Sequence, residues 1–371
     1  MKILIFNWRD IKNPLAGGAE ILTYQIAKGW AQKGHSVVLF SSFFKGAKNE
    51  EVIDNVKIIR AGNSFSVYWQ AYRYYKKFFK GQFDIVVDEI NTVPFFTPFY
   101  VCEPVICHIN QLAKEVWFYE SHLPLSLLGY LAEPLILRIY RNKPAITISK
   151  STKEALLKLG FRENKVFIMP MGIDFAPLER ISQKEETPTL IYVGRIKKSK
   201  RIDHIIRAYK LVKERIADCK LWIVGNGNAR YKNNLKRLIA KYNLEGVTFY
   251  EKVTDEKKLG LMKRAHAIIV ASVREGWGLI VTEANAVGTP AICYNIPGLR
   301  DSTIDNVTGL LCKRNNPSNL AKVILNFLEN KDLRNSLSKT ALDKSRNFSW
   351  DRTNKESWQV LEQILNNENT K

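Results

Sequence analysis

Several signals that usually sort a protein into a class are missing from these 371 residues. The five cysteines (Cys102, Cys107, Cys219, Cys293, Cys312) are scattered without Cys-x-x-Cys spacing, which excludes a zinc framework and suggests a reducing compartment. No apolar run approaches the length of a membrane span. The opening Met1-Lys2-Ile3-Leu4-Ile5-Phe6 is too short for a signal peptide and reads as a first strand, so a cytoplasmic location is expected. The dinucleotide fingerprint G-x-G-x-x-G does not follow that strand, which counts against a nicotinamide enzyme. Acidic residues are scarce: 36 against 57 Lys and Arg, a formal charge of +21. Such a charge asks for nucleic acid, an anionic membrane surface or an anionic substrate. No helix-turn-helix, zinc-finger or RNA-binding signature accompanies it, so nucleic acid is not the expected partner.

What is present reads as two successive α/β domains, the natural division for this length. Lys2 to Phe6 is a strand. A loop ending Asn13-Pro14-Leu15-Ala16-Gly17-Gly18-Ala19-Glu20 leads into a helix over about 19–33, stopped by Gly34, and Val37 to Phe40 is the next strand. Residues 65–83 hold no acidic residue. On a helix, Tyr68, Tyr72, Tyr75 and Phe79 share one face and Trp69, Arg73, Lys76 and Lys80 the other. Two readings stay open: aromatics packed on a sheet, or a basic helix drawn to anionic lipid. Residues 84–89 and 104–109 are buried strands, and His108 ends the second, where ligands gather in open parallel sheets. Asn110-Gln111 and Trp117-Phe118-Tyr119 follow as possible acceptor or lid contacts. Leu125 to Tyr140 is an apolar helical segment. Residues 145–149 and 166–169 are further strands, and 176–188 are polar and proline-punctuated, as a linker should be.

The second half restarts with a strand at Thr189 to Val193, then Gly194-Arg195 and the basic loop Ile196-Lys197-Lys198-Ser199-Lys200-Arg201. The fork of Arg195 and the point charge of Lys200 suit a diphosphate. Gly225-x-Gly227 ends the next strand. Ala267 to Ala271 is a buried strand leading into the stretch around which the chain is organised, Arg274-Glu275-Gly276-Trp277-Gly278-Leu279-Ile280-Val281-Thr282-Glu283-Ala284. Gly276 and Gly278 allow a sharp turn and close approach to a ligand, and the helix start beyond them offers free amides to an anion. Glu275 at the loop mouth and Glu283 about a turn into the helix could grip hydroxyls at the two ends of a nucleotide sugar.

Glu275-x7-Glu283 enclosing Gly-Trp-Gly-Leu resembles the E-x7-E signature of family-4 retaining glycosyltransferases. The resemblance extends over nearly the whole chain, with Gly17-Gly18-Ala19-Glu20, Gly194-Arg195…Lys200 and Met169-Pro170-Met171-Gly172-Ile173-Asp174 in the family order. Met171 replaces the usual Asn, and Arg201 the usual Gly after the lysine. The resemblance implies a GT-B fold: two Rossmann-like domains whose parallel sheets face a deep interdomain cleft. It assigns 1–174 to the acceptor side, 175–349 to nucleotide-sugar binding, and a helix over 350–366 that crosses back to the first domain, with a hinge near Gly172. It implies transfer of a hexosyl group from a UDP- or GDP-sugar with retention. Arg195, Lys200 and the amides near Gly278 and Leu279 would stabilise the leaving diphosphate. Glu275 would hold the donor sugar, Glu283 the ribose, and His108 the sugar from the opposite domain. Gly17, Gly18, Gly276, Trp277 and Val253 complete the implied donor contacts. Asp-x-Asp, the metal-holding pair of the other large glycosyltransferase fold, occurs nowhere, so no metal or cofactor is expected. The acceptor is expected to be a lipid-linked or cell-surface glycan. Alternatives are an epimerase or phosphorylase on the same fold, or a basic non-catalytic binding protein.

Overall fold

The structure, a computed structural model, describes residues 1–369. The chain forms two compact units. One comprises residues 1–114, 128–174 and the segment from Phe348 onward; the other comprises 115–127 and 175–347. The short excursion 115–127 therefore belongs with the second unit, which a boundary at 174 alone does not capture.

The first unit carries an eight-stranded sheet in the order β3-β4-β2-β1-β5-β6-β7-β8. The strands are β1 Lys2–Phe6, β2 Ser36–Ser41, β3 Glu50–Ile53, β4 Val56–Arg60, β5 Ile85–Glu89, β6 Val105–His108, β7 Ala145–Thr147 and β8 Val166–Ile168. All neighbours are parallel except β3 and β4. The β3–β4 hairpin turns at Asp54-Asn55, both at positive φ, as a two-residue hairpin of matching twist requires. Strand β5 is buried at every position, the mark of a strand covered on both faces. Arg60 at the end of β4 is fully buried and is held by Asp10 at 2.6 Å and Glu51 at 2.5 Å.

The C-terminal helix Trp350–Asn369 packs on the Gly18–Gln32 helix of this unit. Trp30 donates to Ser357 at 3.2 Å, and Trp358 stacks on His35 with ring centroids 4.0 Å apart. The segment around Gly172, implied as a hinge, packs against the returning helix. A Cβ on Gly172 would lie 2.5 Å from the Trp350 ring, and Trp350 donates its indole N–H to Asp174 at 2.6 Å. Gly172 is thus a site of tight packing against the returning helix.

Residues 65–83 are helical in two parts. Val67–Tyr74 is α-helical, and Tyr75–Phe79 forms a wider π turn that closes with the Lys80 amide on the Tyr75 carbonyl at 2.9 Å. Val67, Ala71, Tyr75 and Phe79 are buried, while Trp69, Arg73, Lys76 and Lys80 face solvent, so the basic outer face is real.

The second unit holds β9 Thr189–Val193, β10 Lys220–Val224, β11 Val247–Tyr250, β12 Ala267–Val270, β13 Ala291–Tyr294 and β14 Gly309–Cys312. They are all parallel, in the order β11-β10-β9-β12-β13-β14. Counted from β9, this is 3-2-1-4-5-6, with the order reversing between β9 and β12. Ligands of open α/β sheets bind outside the carboxyl ends of strands at such a reversal. Among the described residues, no helix is long and apolar enough to cross a membrane.

Candidate active site at the β9–β12 switch point

The two loops that leave β9 and β12 meet. The Val273 amide donates to the Ser199 carbonyl at 2.8 Å, which ties the basic loop to the central stretch. Lys200 consequently reaches the Glu275 carboxylate, which also accepts from the Ser272 hydroxyl at 2.6 Å. Burial would raise the Glu275 pKa. The charge of Lys200 and the hydrogen bonds from Lys200 and Ser272 outweigh it, so the carboxyl is held below its ordinary range. Lys197 moves down instead, because burial and the neighbouring Lys200 and Arg195 outweigh Glu120. The loops therefore gather more positive charge than their carboxylates neutralise, a setting that favours an anion.

Glycines shape this site by close approach. A Cβ on Gly298 would sit 2.2 Å from the Glu275 carbonyl oxygen, so the Pro297-Gly298 turn exists to let the Glu275 loop pass. Gly278 at φ 94° caps the Leu279–Ala286 helix with no side chain of its own; the Val281 amide closes on the Gly278 carbonyl at 2.8 Å, and the Leu279 and Ile280 amides before it are left for an anion. Trp277 is fixed by its indole N–H donating to Thr282 at 2.9 Å. Glu283, one turn into the helix, pairs with Lys258 at 3.2 Å.

Arg195 follows Gly194 at the end of β9, exposed, with its carbonyl accepting from the Tyr192 hydroxyl at 2.9 Å. Gly225 and Gly227 serve this loop rather than a ligand: their Cβ atoms would lie 2.0 Å from the carbonyl oxygens of Gly194 and Ile196. Arg201, which stands where the resemblance leads one to expect Gly, adopts the left-handed conformation (φ 47°) that glycine adopts most easily. Its guanidinium donates to the Tyr119 hydroxyl at 2.7 Å. The Lys252-Val253 turn is tethered through the Lys252 amide to the Asn226 side chain at 3.2 Å. Among the described residues, no three His, Cys, Asp or Glu side chains cluster to hold a metal ion.

In the first unit, Gly17 and Gly18 open the Gly18–Gln32 helix, and Glu20 folds back on them. It accepts the Gly17 amide at 2.7 Å and the Trp8 indole at 2.9 Å. His108 ends its strand inside the unit, with its Nε2 buried and without a hydrogen-bond partner. It is 3% exposed, its Nδ1 lies 2.8 Å from Glu89, and it lines a small interior space with Thr23, Ile26 and Trp30. Two residues on, Asn110 is also buried, and neither atom of its amide has a partner, the stronger polar signal at this strand end.

The family model "Glycosyl transferases group 1" matches residues 176–344, and "Glycosyltransferase Family 4" matches 16–176. The chain belongs to the family-4, group 1 glycosyltransferases, with the GT-B fold. An uncharacterized glycosyltransferase of Methanocaldococcus jannaschii is 26% identical over 99% of both chains. Sucrose-phosphate synthase from Thermosynechococcus elongatus aligns over 98% of both chains with a TM-score of 0.79 and 20% identity. HepE of Anabaena, solved with UDP-glucose, aligns over 98% of this chain and 99% of its own, with a TM-score of 0.75 and 16% identity.

Proposed function

We propose that the protein transfers a hexosyl group from a UDP- or GDP-sugar to an acceptor hydroxyl on a lipid-linked or cell-surface glycan, with retention and without a metal. The observation that carries this reading is the Lys200–Glu275 pair beside an uncapped helix start at the switch point. The bond from the anomeric carbon to the diphosphate oxygen breaks, and the leaving group takes the electron pair. The acceptor oxygen attacks from the same face, and its proton passes to the departing phosphate oxygen. Arg195, Lys200 and the amides at Gly278 and Leu279 stabilise the charge where it develops. Glu275 holds hydroxyls of the donor sugar, and Glu283 those of the ribose. The similarity to HepE of Anabaena, solved with UDP-glucose, supports a nucleotide-sugar donor. The basic face around Arg73 and Lys76 supports a peripheral place on the inner surface of the cell membrane.

The test is nucleoside diphosphate release from UDP-, GDP- and ADP-sugars with EDTA present, for the wild type and for Arg195→Ala. Slow release from one donor that falls at least about tenfold in the variant supports the reading. Release that requires added metal, or no donor binding by calorimetry, refutes it.

A further inference from the structure

The Leu125–Arg138 helix carries apolar side chains on its outer side as well as on its inner one. Its inner side is ordinary, with Glu133 at 4% and Leu137 at 3% exposure. Its outer side is not. Leu128, Leu131 and Leu135 are 61%, 57% and 63% exposed, and at 100° per residue they fall within about 60° of arc, one continuous stripe. A helix that is hydrophobic all round belongs in a core or in lipid, and this one has a core on one side only. Exposed apolar patches of this kind mark interaction surfaces.

Charge decides among occupants. Between Ser121 and Lys143 the only acidic residue is Glu133, and it is turned inward to accept the amides of Ala113 and Lys114 at 2.5 and 2.7 Å. The exposed residues at the stripe's end are Arg138 and Arg141. A second copy of a chain with charge +21 is repelled from such a surface, whereas an anionic bilayer is drawn to its cationic end and accepts its leucines.

We propose that this stripe inserts into the acyl region of an anionic membrane, with the helix lying in the plane of the interface. It is a second contact, separate in kind from the basic face around Arg73 and Lys76. That face works through charge and is screened by salt; the leucine stripe works through burial and persists in salt.

The experiment is co-flotation of the full-length protein with vesicles of phosphatidylcholine and phosphatidylglycerol, at about 0.1 M and about 1 M NaCl, where the screening length falls to about 3 Å. The comparison is the wild type against the triple variant Leu128→Ser, Leu131→Ser, Leu135→Ser, all at exposed positions. The wild type should keep measurable binding at high salt, and the variant should lose at least about tenfold of it while retaining most low-salt binding. In a Cys102→Ser background, which removes the exposed native thiol, a nitroxide at Leu131→Cys should report a depth below the headgroups. Equal high-salt binding by the two proteins overturns the proposal, as does a nitroxide that stays in water. Wild-type self-association abolished in the variant overturns it in favour of a second copy. Donor-dependent diphosphate release is read in the same samples; its failure bears on the proposed reaction alone and leaves the vesicle result readable.

Discussion

Two helix starts in this chain are nearly the same in sequence and opposite in use. Each follows a buried parallel strand, each has paired glycines, and each has a glutamate close by. At Gly17-Gly18 the glutamate, Glu20, is three residues inside and folds back to take the Gly17 amide, so a fixed negative charge already occupies that end of the helix. At Gly276-Gly278 the glutamate, Glu275, precedes the turn and is drawn away toward Lys200 and Ser272, and the helix start stays uncapped. A helix N-terminus binds an anion only if its own side chains have left it free. The first start is therefore suited to structure and to neutral, hydroxylated ligands, and the second to a diphosphate.

The largest expected effect breaks the second start. Glu275→Ala should lower kcat/KM at least about a hundredfold, the scale on which loss of a preorganised polar contact is felt. It should leave nucleoside diphosphate affinity within a few-fold, because the cations and amides remain. Steady-state kinetics with the identified donor, set beside calorimetry with the bare diphosphate, separates the two. A parallel loss of both would mean that Glu275 acts through the loop's shape and not through the sugar.

The next effect breaks the first start. Glu20→Ala leaves the Trp8 indole and the Gly17 amide without their acceptor, which costs about 1–3 kcal/mol in unfolding free energy. Donor KM should change less than about threefold. Chemical denaturation and donor titration of this one variant check both halves. If stability is unchanged and donor affinity rises, the first start would prove to be a phosphate site held shut by its own glutamate.

Much of this contrast was legible from residue types. The strand–glycine–helix pattern located both starts, and Glu275, Arg195 and Lys200 fell on the two loops that the 3-2-1-4-5-6 order brings to one switch point. The direction of side chains was not legible where a strand is buried on both faces. His108 ends β6, but its ring turns to the face covered by the Gly18–Gln32 helix, where Glu89, its register partner on β5, holds it. Period-2 patterning cannot distinguish two apolar faces. The reason for Gly225 and Gly227, which the sequence shows only as the end of a strand, is packing: a Cβ on either would meet the carbonyl of Gly194 or Ile196. The β3–β4 hairpin went unread although Asp54-Asn55 is a fair turn signal, because Glu50 and Glu51 beside it make a weak strand pattern.

The smallest expected effect sharpens the comparison through pH. The Glu275 carboxyl is pushed up by burial but pulled further down by Lys200 and Ser272, so its folded pKa lies below that of the unfolded chain. In the window between the folded value and the unfolded value of about 4.3, the unfolded chain binds more protons, and stability rises with pH. The contribution is complete above the unfolded pKa and is lost as pH falls through the folded one. Unfolding free energy measured through that acidic range should therefore decline more steeply in the wild type than in Glu275→Gln, whose amide cannot titrate. The two curves should run parallel at neutral pH. A difference curve that is flat in acid, or that slopes the other way, would show that burial dominates at Glu275 and that Lys200 does not hold it charged. The site would then lack the charged carboxylate on which its contrast with Glu20 rests.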